Sequence, residues 1–430
     1  MTASLTQAEA AFAALRRHVA PGMALGAKIL GSDAIEVEAQ GATVRLSDGR
    51  EVLDFGSYAV TLLGHRHPAV VRAVAAQLEL MPTATRLLAN PRAAELTHML
   101  VERTGGRLPR VWIGTDGADA VEVAVKLARR SSGRTRILAV ERGFHGKTLG
   151  ALGLTANPAF RSGLEPLLRG HVTHIDPCDP GAVAREVDAG DVAALIFEPV
   201  QGEGGARVLD QAVLARWSAD ARAAGAYVIS DEIQAGMRRC GPISPALEVG
   251  LDPDAVLFGK ALGGGVMPLS AMLASDQLHA PLTSDPTWHT STFAGHPLAC
   301  AAGIAALEAI EEEAAAAEAL STQLEQGLAA LAIEWPDVVR AVSGAGLLWG
   351  IELASPPVAG ALLIELAHRG LLVSPCLSAA ATIRLLPPMV ASQIELDRAL
   401  SVIAESLETA SSFDTASDDG TRADLRRIPS

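Results

Sequence analysis

Between residues 110 and 275, short apolar segments alternate with alanine-rich helical segments, and this alternation constrains the fold more than any other feature. Seven segments have the pattern of strands: RVWIG (110–114), RILAV (136–140), HVTHID (171–176), ALIFEPV (194–200), YVISDEI (227–233), AVLFGKA (255–261) and LSAMLA (269–274). Continuous apolar strands separated by helices are typical of a mostly parallel sheet with both faces covered. We therefore predict an α/β fold with a large domain built on a mostly parallel seven-stranded sheet.

The two ends of the chain have a different pattern. AIEVEAQG and ATVRLSDGREVLDF predict strands, the second folded back at Asp48-Gly49 as a hairpin, and the final third mixes strands with helices. We expect residues 1–60 to be an N-terminal segment of a small α+β domain and residues 61–305 to form the large domain. Residues 306–410 are predicted to complete the small domain, and the polar, aperiodic residues 411–430 to be a disordered tail.

Composition excludes several classes of partner. The formal net charge of −14 argues against binding nucleic acid through phosphate neutralisation. The four cysteines form no CxxC pair, which favours reduced thiols and a cytoplasmic location over disulfides or a zinc site. His65 and His67 lack a nearby set of Cys or carboxylate ligands, so no metal is predicted.

The sequence predicts neither a signal peptide nor a membrane span. The N-terminus lacks the basic-then-apolar order of a signal peptide, and no apolar run is long enough to span a membrane.

Polar or aromatic groups follow five of the predicted strands, at the edge where open parallel sheets bind ligands. Asp116 and Gly117 begin a helix, where a helix cap and a phosphate site are both possible readings. Phe144 is either core or a stacking surface, Asp231 either a structural ion pair or a functional carboxylate. Lys260 stands between an apolar run and three glycines in AVLFGKALGGG, where burial of an ammonium is costly unless it is paired or reactive.

Together these groups match the needs of pyridoxal 5′-phosphate (PLP). Its aldehyde forms a Schiff base with a lysine, and its pyridine nitrogen needs a carboxylate so that the ring can accept electrons. Its ring needs flat or apolar neighbours, and its phosphate needs N–H donors. We therefore predict PLP as the cofactor.

The chain resembles the class III aminotransferases of PLP fold type I from about residue 20 to 408. The resemblance rests on the following motifs: LGHRHP (63–68), DGADAVEVAVKLAR (116–129), FHGKTLGAL (144–152), EPVQGEGG (198–205), SDEIQAG (230–236), FGKALGGG (258–265), HTSTFAGHPLACAA (289–302) and TIRLLPP (382–388). Several motifs in the family's order make this a specific resemblance.

The resemblance implies a set of cofactor-binding residues. Lys260 would form the Schiff base and Asp231 would bind the pyridinium nitrogen. The remaining implied contacts are Gly117 and Ala118 to the phosphate through backbone N–H groups, Phe144 and Ile233 to the two ring faces, His145 beside Phe144, Gln234 near the ring hydroxyl, and Thr292 to the phosphate of the other subunit. The last contact implies a homodimer with shared active sites.

The resemblance also implies substrate-binding residues. Arg384 is similar to the arginine that binds the α-carboxylate of the oxo-acid acceptor, and Glu198 to a glutamate that pairs with that arginine or swings away. One position departs from the family, which usually has Ser where this chain has Asp116. A carboxylate beside a phosphate is unfavourable unless it faces away as a helix cap, and Thr115 could supply a hydroxyl instead.

Lys147 in FHGKT is the sharpest clue to the substrate. Ornithine and acetylornithine aminotransferases have an arginine there, and lysine lacks its planar fork. The putrescine aminotransferases share FHGK and GKALGGGVMP with this chain. We therefore predict an ω-aminotransferase acting on a diamine such as putrescine or cadaverine, with 2-oxoglutarate as acceptor and Tyr58 either facing the substrate or in the core. The alternatives are an ornithine-type enzyme, a biosynthetic aminotransferase for another aldehyde and, more remotely, an aminomutase.

Overall fold

A computed structural model describes residues 6–415 except residue 169, with side chains to residue 410. Its helices are α1 (Gln7–His18), α2 (Pro21–Leu30), α3 (Pro68–Leu80), α4 (Pro91–Arg103), α5 (Gly117–Ser132), α6 (Leu149–Leu154), α7 (Pro158–Arg161), α8 (Glu165–Leu168), α9 (Ala182–Val187), α10 (Gln211–Ala223), α11 (Pro245–Glu248), α12 (Asp276–Ser284), α13 (Pro297–Glu312), α14 (Ala314–Glu334), α15 (Pro356–His368) and α16 (Gln393–Thr415). Short 3₁₀ turns cover Ser57–Ala59 and Lys260–Gly263.

The strands are β1 (Glu36–Gln40), β2 (Thr43–Leu46), β3 (Glu51–Asp54), β4 (Arg110–Gly114), β5 (Arg136–Val140), β6 (Val172–Ile175), β7 (Val192–Phe197), β8 (Val200–Gln201), β9 (Arg207–Val208), β10 (Tyr227–Asp231), β11 (Ala255–Phe258), β12 (Ser270–Ala274), β13 (Val339–Ala345), β14 (Leu348–Leu353), β15 (Leu371–Leu372), β16 (Ser374–Cys376) and β17 (Ala379–Leu385). The predicted turn at Asp48-Gly49 joins β2 to β3, and Gly49 has φ +90° there.

The large sheet confirms the predicted α/β architecture. Its seven strands have the order β4-β12-β11-β10-β7-β5-β6, and within this sheet β12 runs antiparallel to its two neighbours. Every residue of β7, β11 and β12 is buried, as expected for strands covered on both faces. Helix α5 packs its buried face, which includes Val121, Ala124 and Ala128, against one side of this sheet.

Three strands are shorter than their apolar segments. β7 ends before Glu198, where Pro199 lacks the N–H that a continuing ladder needs. β10 ends at Asp231 and β11 at Phe258, and Lys260 has φ +43°, which is incompatible with extended backbone. The chain therefore leaves the sheet where its polar residues begin.

Both ends of the chain contribute to a smaller α+β region. β15 from the C-terminal part pairs in parallel with β3 from the N-terminal part, which completes a four-stranded sheet β1-β2-β3-β15. A second four-stranded sheet has the order β13-β14-β17-β16. The predicted division at residue 305 falls inside the continuous helix α13, and the bounds of the domains remain predictions.

The C-terminal prediction is partly corrected. Helix α16 continues to Thr415, five residues into the segment predicted to be disordered, and residues 416–430 of that segment lie outside the described residues. Among the residues that the structure describes, no helix combines the length and the apolar character needed to cross a membrane.

Candidate active site

Neighbouring parallel strands bring three charged residues to one edge of the large sheet. β10 lies between β11 and β7, and these strands lead into Asp231, Lys260 and Glu198 respectively. Parallel strands place their carboxyl ends at the same edge, so residues far apart in sequence become neighbours. The convergence predicted from the sequence is present in the fold.

Asp231 is 3% exposed and both of its oxygens are engaged. Oδ2 lies 2.7 Å from Nδ1 of His145, and Oδ1 accepts the Ile233 N–H at 3.2 Å. Burial disfavours a charged imidazole, but the Asp231 carboxylate outweighs it and raises the pKa of His145. The backbone N–H of His145 donates to Oγ1 of Thr155 at 3.0 Å, which fixes the segment that carries the ring. His145 therefore holds the Asp231 carboxylate in one orientation.

Two glycines leave room for Ile233 next to Asp231. A Cβ on Gly117 would lie 2.9 Å from Cγ2 of Ile233, and a Cβ on Gly259 would lie 3.1 Å from the same atom. Gly117 begins α5 and Gly259 precedes Lys260, so Ile233 packs between the helix start and the lysine turn. A Cβ on Gly146 would lie 2.7 Å from Cβ of Ala118, which brings the Phe144–Gly146 segment against the same helix start.

Asp116 is the N-cap of α5. Its Oδ1 accepts the Asp119 N–H at 3.1 Å, as a capping side chain does. The hydroxyl of Thr115 donates to Oδ2 of Asp119 at 3.3 Å. Thr115 is thus engaged with Asp119, while Gly117 and Ala118 occupy the first turn, where backbone N–H groups have no partner within the helix.

Lys260 is set in a strongly charged environment. Burial lowers its pKa, and the charge of Arg384 lowers it further. The carboxylates of Glu203, Asp231 and Glu198 oppose this shift without reversing it. A lysine with a lowered pKa reaches its neutral, nucleophilic form closer to neutral pH than an exposed lysine does.

Glu198 is 5% exposed and lies beside the same group of charges. Burial raises its pKa to about 7, with the Asp231 carboxylate adding to the shift and His145 opposing it. Its Oε1 accepts the Phe144 N–H at 2.8 Å. Glu198 therefore supports the position of Phe144.

The ion pair of Arg384 corrects the predicted pairing with Glu198. Arg384 is 1% exposed, and its Nη1 lies 2.6 Å from Oε1 of Glu203. The other oxygen of Glu203 accepts the Leu377 N–H at 3.0 Å. The short strand β8 lies between Glu198 and Glu203 in the sequence. This additional length of chain brings Glu203, and not Glu198, to Arg384 on strand β17.

Lys147 is exposed and is held by aromatic rings. Its Nζ lies 3.9 Å from the ring centroid of Phe160 and 5.9 Å from that of Phe144. The two rings meet edge to face, with centroids 6.4 Å apart. The structure thus places Lys147 and Phe144 together, as the FHGK motif requires, and adds Phe160.

The remaining predicted residues have diverse environments. Gln234 is 6% exposed, and its Oε1 has no hydrogen-bond partner among the described residues. Tyr58 is 72% exposed with φ +53°, in a turn that packs against the Lys260–Gly263 turn. Tyr58 is therefore not a core residue. Thr292 is exposed, and its carbonyl accepts from Nη1 of Arg86 at 2.8 Å.

Sequence reasoning missed Glu203 and Phe160. Glu203 stands between two glycines in EPVQGEGG, five residues after Glu198. A second acidic residue in a glycine-rich segment is a pattern that could have indicated a functional carboxylate. Phe160 is one of few aromatic residues in a chain with 3% aromatic content, but its contact with Lys147 depends on a turn that the sequence pattern does not specify.

Similarity to known proteins agrees with this geometry. The family described as "Aminotransferase class-III" matches residues 30–407. The putrescine aminotransferase of Pectobacterium atrosepticum is 36% identical over 401 residues, covering 90% of this chain and 86% of that protein. The family match spans every motif named above.

Solved structures have the same fold over nearly the whole chain. The ornithine aminotransferase of Toxoplasma gondii has a TM-score of 0.87 at 28% identity, covering 95% of this chain and 97% of that one. An amine transaminase from an uncultivated Pseudomonas species, in its PLP-bound form, has a TM-score of 0.80 at 26% identity, covering 88% and 95%. The chain belongs to the class III aminotransferases and is a PLP-dependent transaminase of fold type I.

Proposed function

We propose that this protein is an ω-aminotransferase that moves an amino group between a terminal primary amine of the putrescine or cadaverine kind and a 2-oxo acid such as 2-oxoglutarate. The observation that carries the proposal is the half-buried Lys260 at the same sheet edge as the Asp231–His145 pair. The similarity to a putrescine aminotransferase supports the amine class.

The described residues fit PLP. The Asp231 carboxylate would hold the pyridinium nitrogen, and the N–H groups of Gly117 and Ala118 would hold the phosphate. Phe144 and Ile233 would cover the ring. The Oε1 of Gln234, which no described residue hydrogen-bonds, would meet a ring substituent. When bound, PLP supplies the electron sink that makes the substrate C–H bond acidic.

Lys260 would hold the aldehyde and then transfer the proton. Its lowered pKa favours the neutral amine that accepts a proton from the substrate carbon. The three residues after Lys260 continue a tight turn, and Gly264, with φ +64°, ends it.

Arg384 would bind the carboxylate of the oxo acid. A buried arginine is costly without a counter-charge, and Glu203 supplies one when no acceptor is bound. Arg384 and Glu203 together suit two alternating substrates, one with and one without a carboxylate at this place. Such alternation favours transfer over an aminomutase, which needs no acceptor.

Lys147 bears on the choice of amine. An ornithine-type enzyme is the near alternative, supported by the structural similarity to an ornithine aminotransferase. An aminotransferase for another biosynthetic aldehyde is the second. Lys147 lies on an aromatic ring and offers no bidentate grip for a carboxylate, which supports the diamine.

We further propose a homodimer with shared active sites. Arg86 donates to the carbonyl of Thr292, and the next two residues, Leu87 and Leu88, are 91% and 75% exposed. Phe293 is 60% exposed beside them. Large apolar side chains grouped on one surface are typical of an interface, which supports Thr292 reaching the partner's phosphate site. The four cysteines are free thiols, in keeping with the predicted cytoplasmic location.

Absorbance of the bound cofactor tests the function directly. We expect putrescine alone to shift the absorbance of the PLP-loaded protein to that of the amine form, and 2-oxoglutarate to restore it. If putrescine leaves the absorbance unchanged while ornithine converts the cofactor, the diamine assignment is refuted. A Lys260→Ala variant is the control: sustained turnover by it would refute the role of Lys260.

A further inference from the structure

The aromatic contact of Lys147 is an unusual arrangement for an exposed lysine. Its Nζ lies 3.9 Å from the centroid of Phe160, well within the range in which a ring face attracts an ammonium. Within the described residues Lys147 forms no salt bridge. The ring of Phe160 is thus the main attractive contact that the structure provides for this charge.

Phe160 is fixed relative to the active site from two sides. On one side, the Ala156 N–H donates to the carbonyl of Gly143 at 2.9 Å, next to Phe144. On the other, Nδ2 of Asn157 donates to the carbonyl of Leu377 at 2.5 Å. Asn157 also caps α7, the single turn that carries Phe160, by accepting the Ala159 N–H.

This second anchor leads to the Arg384–Glu203 pair. The N–H of Leu377 donates to Oε2 of Glu203, whose Oε1 contacts Arg384. Leu377 thus joins the segment that carries Phe160 to the ion pair. Phe144, which is proposed to cover the cofactor ring, contacts Phe160 edge to face, so Phe160 lies next to the proposed cofactor site.

From this geometry we propose that Phe160 is a specificity-determining residue that holds the Lys147 ammonium on its ring. This contact makes the site prefer amines that carry no carboxylate at the end opposite the reacting amine. The proposal rests on the proposed function. Without the ring, the flexible Lys147 side chain would be free to move its charge toward the bound amine. That charge would attract a distal carboxylate and repel a distal ammonium.

Two amines of matched length separate these effects. Putrescine ends in an ammonium, whereas 4-aminobutyrate places a carboxylate at nearly the same distance from the reacting amine. In Phe160→Leu we expect kcat/KM of the amine half-reaction to fall about two- to fivefold for putrescine and to rise by a similar factor for 4-aminobutyrate. A change of this size corresponds to the free energy of an exposed cation–π contact. Phe160→Tyr keeps an aromatic face and should retain the wild-type ratio.

A Lys147→Met background distinguishes this role from a structural one. If Phe160 acts through the ammonium, adding Phe160→Leu to Lys147→Met leaves the ratio of the two amines unchanged. An equal change of the ratio in both backgrounds would overturn the proposal. So would an unchanged ratio when Phe160→Leu is made in the wild-type chain.

A spectroscopic measurement tests the contact without turnover. The sequence has four lysines, Lys28, Lys126, Lys147 and Lys260. Reductive ¹³C-dimethylation keeps their charge and gives each accessible lysine a resolvable NMR signal, with Lys28, which pairs with Asp33, as the reference without a ring. We expect an upfield ring-current shift for Lys147 that Phe160→Leu abolishes. Its absence in the wild-type protein would refute the contact, whereas failure of both amines to convert the cofactor would refute the proposed function instead.

Discussion

Glu232, next to Asp231, is buried, and it has no ionic partner within the part of the chain that the structure describes. It is 1% exposed, and its Oε1 accepts from Oγ of Ser230 at 2.9 Å and from the Ala246 N–H at 3.0 Å. Its Oε2 has no hydrogen-bond partner among the described residues. Burial raises the pKa of Glu232 to about 7. The folded protein therefore keeps this proton at a pH where the unfolded chain has released it.

The sign of the resulting pH dependence follows from linkage. Since the folded pKa lies above the unfolded value of 4.5, the free energy of unfolding falls as pH rises from about 4.5 to 7. Glu232→Gln imitates the protonated form and removes this loss. We expect the variant to gain on the order of 2 kcal/mol relative to wild type between pH 5 and pH 8.

Urea unfolding of both proteins at the two pH values measures this difference. A difference that stays constant between pH 5 and pH 8 would show that Glu232 does not titrate in this range.

The Arg384–Glu203 pair gives a second prediction at this scale. Glu203→Gln keeps an oxygen near Arg384 but removes the counter-charge of a buried cation. We expect the KM for 2-oxoglutarate to fall and the half-reaction with putrescine to slow, each about tenfold, which corresponds to roughly 1.4 kcal/mol. Single-turnover kinetics of the two half-reactions measure these changes. Glu198→Gln is the matched control, and an equal effect of that variant on oxo-acid binding would contradict the assignment of Glu203.

Among the elements, the start of α5 carries the clearest prediction. Asp116 caps this helix and also places a negative charge next to the proposed phosphate site. Asp116→Ser keeps a capping oxygen and removes the charge. We expect PLP to bind a few-fold more tightly, with the free energy of unfolding changed by less than about 0.5 kcal/mol.

Equilibrium dialysis of PLP and unfolding of the apoprotein measure the two quantities separately. Asp116→Ala should instead lose about 0.5–2 kcal/mol because the cap is lost. Weaker PLP binding by Asp116→Ser would show that the carboxylate assists the phosphate site.

At the scale of the whole molecule, the proposed sharing of active sites between two protomers predicts complementation between two inactive variants. Consider a dimer of one Lys260→Ala protomer and one Thr292→Asp protomer. Because Thr292 is proposed to reach the partner's site, one site of this dimer has both defects and the other has neither. We expect mixed, refolded or co-expressed protomers to regain up to about a quarter of wild-type activity, since half of the dimers are mixed and each has one intact site of two. Activity of the mixture measures this recovery. No recovery in a mixture that sedimentation shows to be dimeric would place Thr292 in its own protomer's site.

The sequence by itself determined the large sheet and the candidate reactive groups. Its seven apolar segments could be recognised because strands buried on both faces are continuously apolar, and Lys260 and Asp231 stood out as charges at the ends of two of these segments. The family motifs added the expected roles of these residues. These inferences depend on local patterns, which a single sequence contains.

The tertiary structure decided which side chains meet. Glu198 follows β7 and Glu203 follows β8, five residues later. The sequence could not tell which of the two reaches Arg384, because that depends on the path of the chain from β8 to β17. Phe160 reaches Lys147 through a capped turn anchored to Leu377, more than two hundred residues away. Local pattern specifies strands and helix starts, but contacts between distant side chains arise only when the packed elements fix their relative positions.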